Sequence, residues 1–211
     1  MTNLDGWKEG RVLTSCEVSS LVIDWLYDQA GGQRIAVACF YFDFAAQKEQ
    51  SPTNMLGALQ KQVVGGLEEI PKEIVQAYKD HKKVIDGRGL QLADIVKMLQ
   101  TTASEQPTFI CIDALDECAV GYRVKVLDSL NQILRRCPST RVFVAGRPQI
   151  QAEVEKRLSS RRVMAIRIIP QRYDIIGYLH TRLDEDTKLD AMDSSLKADI
   201  LKKIPEDVSE M

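Results

Sequence analysis

Three acidic side chains follow an apolar run in the middle of the chain, where positions 109–118 have the sequence FICIDALDEC. A strand that ends in Asp113 would hold this carboxylate at the edge of a sheet, where a hard cation such as Mg²⁺ binds through oxygen ligands. Asp116 or Glu117, just beyond, could orient and deprotonate an attacking water. The alternative is a strand that merely ends in an acidic turn.

The elements that would position these carboxylates alternate along the sequence. Short apolar runs predict strands at 35–42, 108–112 and 141–145, and an alternating apolar pattern predicts a fourth strand at 164–169. Apolar residues at helical spacing predict helices between them. The predicted helices span 19–29, 51–67, 71–82, 92–105, 120–136, 149–158, 173–183 and 196–204. Buried strands separated by helices indicate an α/β domain with a mostly parallel sheet, which binds ligands at the carboxyl ends of its strands.

The segment 109–118 resembles the Walker B strand of the NACHT-type branch of the STAND ATPases. It is most similar to the nephrocystin-like NACHT domains of large fungal proteins, which often carry ankyrin or WD repeats. Three further segments match in order: YFDF at 41–44, RVFVAGRP at 141–148, and the helix start marked by Asp174, Ile175 and Tyr178. The resemblance covers residues 19–211.

This resemblance implies a P-loop NTPase-like (ASCE) fold, with three α/β/α layers and a mostly parallel sheet. It implies that Asp113 holds Mg²⁺ and that Asp116 or Glu117 positions the water that attacks the γ-phosphate of ATP or GTP. Arg147, in the segment usually assigned as sensor 1, would sense or neutralise that phosphate. The alternative for Arg147 is a surface arginine that caps the turn before Pro148.

The phosphate-binding half of such a site has no counterpart in the sequence. A P-loop needs glycines and a Lys-Ser/Thr pair whose N–H groups and charge hold the phosphates. Residues 12–17 read VLTSCE, with neither Gly nor Lys. The first strand and the P-loop are therefore expected to be missing or degraded, and nucleotide binding to be weak. Both ends of the chain are expected to be truncations of a larger protein.

The predicted domain organisation has three parts. Residues 1–18 are an irregular or degraded P-loop region, residues 19–183 the NTPase core, and residues 184–211 the start of a downstream helical region. The net charge of −2 gives no indication of a nucleic-acid or membrane partner. Five scattered cysteines favour a reducing, cytoplasmic location. Protein partners or self-association are expected from the resemblance.

Three functional hypotheses remain open from the sequence. The first is a fragment of a NACHT-type signalling NTPase, a nucleotide-dependent switch. The second is a non-enzymatic module for protein contacts on a degenerate NACHT fold. The third is another ASCE ATPase, of the AAA type or RecA-like. The missing lysine favours the second hypothesis over the first for this chain.

Overall fold

The computed structural model describes residues 15–29, 35–83, 90–158, 163–167, 172–185 and 194–209. Most of the predicted P-loop region and the last two positions of the predicted strand 164–169 lie outside these ranges.

Helices and strands alternate through the described residues, as predicted. The strands are β1 (Ala36–Tyr41), β2 (Thr108–Asp113) and β3 (Arg141–Val144). The helices are α1 (Ser15–Gln29), α2 (Pro52–Gly65), α3 (Lys72–Lys83), α4 (Leu92–Glu105), α5 (Val120–Arg136), α6 (Gln151–Arg157), α7 (Arg172–Glu185) and α8 (Ser194–Ser209). A single turn of 3-10 helix follows each strand, at Phe44–Ala46, Leu115–Glu117 and Pro148–Ile150.

The three strands form one parallel sheet in the order β1-β2-β3. The register places Tyr41 opposite Asp113, and Ile112 opposite Val144. All three strands run in the same direction, so their carboxyl ends lie along one edge of the sheet. The central strand β2 is the most deeply buried, which matches its nearly unbroken apolar sequence.

Alternate residues of the strands face two different helical layers. On one face, Ala36, Ala38, Ile110 and Ile112 belong to the main core, which they share with helices α2, α4 and α5. On the other face, Val37 and Cys111 pack against α1. The predicted α/β/α layering is therefore confirmed. Each large core side chain contributes roughly 1.5–3 kcal/mol through the apolar surface it removes from water.

The two outer edges of the sheet differ. At β1, the side chain of Gln62 accepts a hydrogen bond from the N–H of Cys39 at 2.9 Å and donates to its C=O at 2.8 Å. Gln62 therefore takes the place of a neighbouring strand at this point. At β3, no strand among the described residues pairs with the outer edge, and residues 142–144 are only half-buried.

The predicted start of the first helix and the predicted strand at 164–169 were wrong. Helix α1 begins at Ser15 rather than at residue 19, so Cys16 and Glu17 are already helical. The strand predicted at 164–169 is irregular over its described part, 163–167. Its apolar Met164 and Ile166 are 78% and 76% exposed, because their side chains meet no core and their backbone meets no strand within the described residues. Alternation alone does not make a strand without a pairing partner.

The chain divides into two compact units. One spans residues 15–165 and contains the sheet and its helical layers. In the described part of the other, α7 and α8 pack together, and Lys197 donates to the C=O of Leu183 at 3.4 Å. No helix in the described residues is both long and apolar enough to cross a membrane.

Candidate site at the carboxyl edge of the sheet

The predicted site residues Asp113, Asp116, Glu117 and Arg147 lie at or just after the carboxyl ends of β2 and β3. Backbone hydrogen bonds hold this edge: the N–H of Ala145 donates to Ile112 at 2.8 Å, and the N–H of Leu115 donates to Ala145 at 3.1 Å. These bonds continue the β2–β3 pairing past the last strand residues. The two loops that carry the acids and the arginine are therefore fixed to one another.

Asp113 is the last residue of β2 and is only 2% exposed. The hydroxyl of Ser19, on α1, donates to its Oδ1 at 2.9 Å. Ser19 is itself 1% exposed. A hydrogen bond to a buried carboxylate is one of the stronger kinds in proteins, and it ties α1 to the end of the central strand.

The acidic turn, residues 114–118, begins with an unusual backbone conformation. Ala114 has a φ of 51° and a ψ of 41°, in the left-handed region. A residue with a Cβ pays roughly 1–2 kcal/mol there. This left-handed residue changes the direction of the backbone, so that Leu115 enters the core, where it is fully buried, and Asp116 lies toward β3. The buried leucine and the hydrogen bonds of Asp116 offset the strain.

Asp116 binds the segment that follows β3. Its Oδ1 accepts from the backbone N–H of Arg147 at 3.1 Å, and its Oδ2 lies 3.4 Å from Nε of the same residue. The Asp116 side chain is 6% exposed, whereas that of Arg147 is 70% exposed. The Asp116 carboxylate is thus buried and held in place, whereas the Arg147 guanidinium extends into solvent.

Glu117 forms hydrogen bonds with the turn after β1. Its Oε2 accepts from the N–H of Phe44 at 3.0 Å, and its C=O accepts from Nε2 of Gln47 at 2.6 Å. Asp43 holds the same turn from the other side by accepting from the N–H of Ala45 at 2.8 Å. The described conformation therefore uses the Glu117 carboxylate to join two loops rather than to face an open cavity.

An ion pair that the sequence analysis missed supports the acidic turn. Arg123 on α5 is 9% exposed, and its Nε lies 2.8 Å from Oε2 of Glu153 on α6. Its Nη1 donates to the C=O of Asp116 at 3.4 Å and of Cys118 at 3.3 Å. The sequence did contain a signal for this ion pair: Arg123 lies on the core-facing side of α5, one turn before the buried Val126 and Leu127.

The two cysteines of this region are not suited to nucleophilic chemistry. Burial raises the pKa of Cys111 to about 11, and the nearby Cys39 thiol adds to that rise. Burial also raises the pKa of Cys118 to about 11; the charge of Arg123 works against that rise and the charge of Glu153 adds to it. Both thiols are therefore protonated at neutral pH, and a protonated thiol is a poor nucleophile.

The acids do not fit a Mg²⁺ ion as they are arranged. Mg²⁺ requires six oxygen ligands at about 2.0–2.1 Å and usually keeps several waters. Asp113 is buried beneath α1, Asp116 holds Arg147, and Glu117 holds Phe44. In the part of the chain that the structure describes, no group of three or more His, Cys, Asp or Glu side chains could hold a metal ion.

Comparison with known protein families matches this chain to one of them. A family profile described as nephrocystin 3, N-terminal, matches residues 17–147, which is 131 of the 211 residues. All four predicted site residues lie in that range. No curated protein sequence matches the chain.

Two solved structures align with this chain at low sequence identity. The Orc1 protein of Aeropyrum pernix, solved in complex with DNA, is 18% identical with a TM-score of 0.47 over 86% of this chain. The Walker-type ATPase of Pyrococcus abyssi is 11% identical with a TM-score of 0.39; the alignment covers 97% of this chain and 68% of that one. The chain spans 45% of the Orc1 chain.

Proposed function

Because the chain belongs to the nephrocystin 3 N-terminal family, we propose that residues 15–165 are part of a NACHT-type signalling NTPase. In this proposal the domain is a nucleotide-dependent switch in the cytoplasm, and ATP or GTP is its ligand. It binds that nucleotide weakly, because residues 12–17 carry neither the glycines nor the lysine of a phosphate-binding loop. Its partners are other proteins or further copies of itself.

The observation that carries the proposal is the pairing of Asp116 with Arg147 across the ends of neighbouring strands. The exposed guanidinium is available to a phosphate, which would compete with Asp116 for it. Once the Arg147 side chain binds the phosphate instead of Asp116, the Asp116 carboxylate would be able to accept a proton from water. The same two residues would thus exist in a resting pair and in a ligand-bound arrangement, as a switch requires.

A direct titration tests this proposal. Purified protein is titrated with ATP and with GTP by calorimetry, with and without Mg²⁺, and compared with Arg147→Ala. We expect a Kd on the order of 1 mM, or about −4 kcal/mol, and at least a several-fold weaker Kd for the variant. Sub-micromolar binding would contradict the predicted weakness, and an unchanged Kd in Arg147→Ala would contradict the site.

The second candidate is a non-enzymatic module for protein contacts. It is favoured by the fact that Asp113, Asp116 and Glu117 each already have a partner within the protein. A variant with a glycine-rich loop and Gly-Lys-Ser placed before α1 separates the two candidates. A much lower Kd for nucleotide in this variant supports the switch, whereas an unchanged Kd supports the contact module. The family match favours both over an AAA-type or RecA-like ATPase.

A further inference from the structure

The outer edge of β3 and the segment 163–167 each lack a strand partner among the described residues. We propose that the two pair between copies of this chain. Residues 163–167 of one copy add as a strand to the outer edge of β3 in a second copy, and the exchange is reciprocal. The inference rests on the proposed function in one respect, since it names the partner of that function as a second copy of the chain.

The backbone of β3 points away from the sheet at two positions. The N–H of Ala145 donates to the C=O of Ile112 and its C=O accepts from the N–H of Leu115, so both groups of Ala145 face the β2 side. Because successive residues of a strand direct their N–H and C=O groups to alternate sides, those of Val142 and Val144 face outward. An added strand would pair with these four groups, which no strand in the described part of the chain does.

The side chains of β3 are incompletely covered on both faces of the sheet. Val142 and Val144 are half-buried and pack against the main core, whereas Phe143 is half-buried and packs against the cluster beneath α1. The central strand β2 is buried along nearly its whole length. The edge therefore has apolar surface left to bury on either face, and a strand with apolar side chains on both of its own faces would cover it.

The segment 163–167 has the sequence of such a strand. Its residues VMAIR would place Met164 and Ile166 on one face of an extended chain, and Val163 and Ala165 on the other. Met164 and Ile166 are 78% and 76% exposed, and Val163 is 39% exposed. In its own copy the segment is irregular and does not join the sheet. A strand sequence without an edge and an edge without a strand are thus present in the same chain.

A second copy of the chain satisfies both surfaces at once. Each copy gives its segment 163–167 and receives that of the other on β3, so the same two surfaces are used twice, as a two-fold symmetric dimer requires. Backbone hydrogen bonds of the added strand supply affinity, and burial of Met164 and Ile166 adds to it. A foreign peptide would fill the edge of β3 but would leave the chain's own segment exposed.

Sedimentation equilibrium of the full chain, over a wide range of concentration and without nucleotide, tests the exchange. We expect a monomer–dimer equilibrium for the wild type. Met164→Lys/Ile166→Lys should weaken dimerisation by at least about a hundredfold, because it replaces the apolar side chains that the dimer buries by charges. Val120→Lys/Tyr173→Lys is the matched control: its two apolar side chains are each 68% exposed, and the dimer should be unchanged.

A mixing experiment identifies the surfaces that meet. Val144→Pro removes an outward N–H of β3 and leaves the segment 163–167 intact. Alone, it should dimerise as weakly as Met164→Lys/Ile166→Lys. Mixed, the two variants should form a heterodimer by native mass spectrometry, because one supplies an intact edge and the other an intact segment. If circular dichroism shows that Val144→Pro does not fold, Val142→Lys replaces it and places a charge on the same edge.

Three outcomes would overturn the exchange. The first is a wild type that stays monomeric at every concentration. The second is a control variant that loses the dimer as fully as Met164→Lys/Ile166→Lys does. The third is a mixture of the edge and segment variants that forms no heterodimer. Because no nucleotide is present in these experiments, the ATP and GTP titration of the wild type remains a separate test of the switch.

Discussion

Gly146 lies just after β3 and packs against the acidic turn. A Cβ placed there would lie 2.9 Å from Cδ1 of Ile150 and 3.1 Å from Oδ1 of Asp116. Both neighbours are constrained, since Ile150 is buried and Asp116 is bonded to the N–H of Arg147. Glycine is therefore required here for lack of space rather than for backbone conformation.

Gly146→Ala is expected to destabilise the protein by about 1–3 kcal/mol, as overpacking in a fixed environment does. It should also break the bond between Asp116 and the N–H of Arg147. Urea unfolding measures the first effect, and hydrogen exchange at the Arg147 amide measures the second. The control is Gly121→Ala in α5, where a Cβ meets nothing within 4 Å. Equal stability of the two variants would contradict the steric argument.

The single-residue contacts of the site form larger connections between elements. Arg123 on α5 binds Glu153 on α6, and Arg157 on α6 lies 2.8 Å from Asp128 on α5. Through Arg123, these two helices also hold the carbonyls of the acidic turn. The segment after β3 is thus attached to the region after β2 at three side chains: Asp116, Arg123 and Asp128.

Arg123→Met is expected to cost about 2–4 kcal/mol, because it leaves two carbonyls without their donor and leaves Glu153 only the longer ion pair with Arg157, at 3.8 Å. The double variant Arg123→Met/Glu153→Leu should regain part of that loss, since removing both charges removes the uncompensated one. Urea unfolding of the four proteins of this cycle gives the coupling energy.

The more exposed pair between Arg157 and Asp128 provides the control for this cycle. Their side chains are 31% and 50% exposed, so Asp128→Asn should cost less than about 1 kcal/mol. A double variant that is less stable than Arg123→Met alone would argue against an ion pair as the source of the effect.

At the scale of the whole molecule, burial of ionisable groups makes the fold sensitive to alkali. The pKa values of Cys111 and Cys118 are both raised from 9.0 to about 11, mainly by burial. Burial is also the main cause of the raised pKa values of Tyr27 and Tyr41. All four groups are acids whose protonated form is favoured by folding.

We therefore expect the free energy of unfolding to be nearly constant up to pH 8 and to fall between pH 9 and pH 11. In that window the unfolded chain releases the thiol protons that the folded chain retains, at about 1.4 kcal/mol for each pKa unit. Urea unfolding at pH 8 and pH 10.5, with reductant present, measures the loss. Cys111→Ala/Cys118→Ala should reduce it, and an undiminished loss in that variant would contradict the assignment.

The sequence by itself determined the local features of this protein. The apolar run before Asp113 identified the central strand, and the helical spacing of apolar residues located the helices that cover it. Parallel strands place their carboxyl ends on one edge, so Asp113, Asp116, Glu117 and Arg147 could be predicted to lie together. The strand and helix predictions succeeded because these patterns depend on residues close in the chain.

Only the tertiary structure decided which group binds which. Asp113 pairs with Ser19 across 94 positions, Asp116 with Arg147 across 31, and Arg123 with Glu153 across 30. Each carboxylate has many possible donors in the sequence, and the packing of helices and loops selects among them. The strand predicted at 164–169 failed for the same reason, because a strand depends on a neighbour that the alternating pattern does not specify.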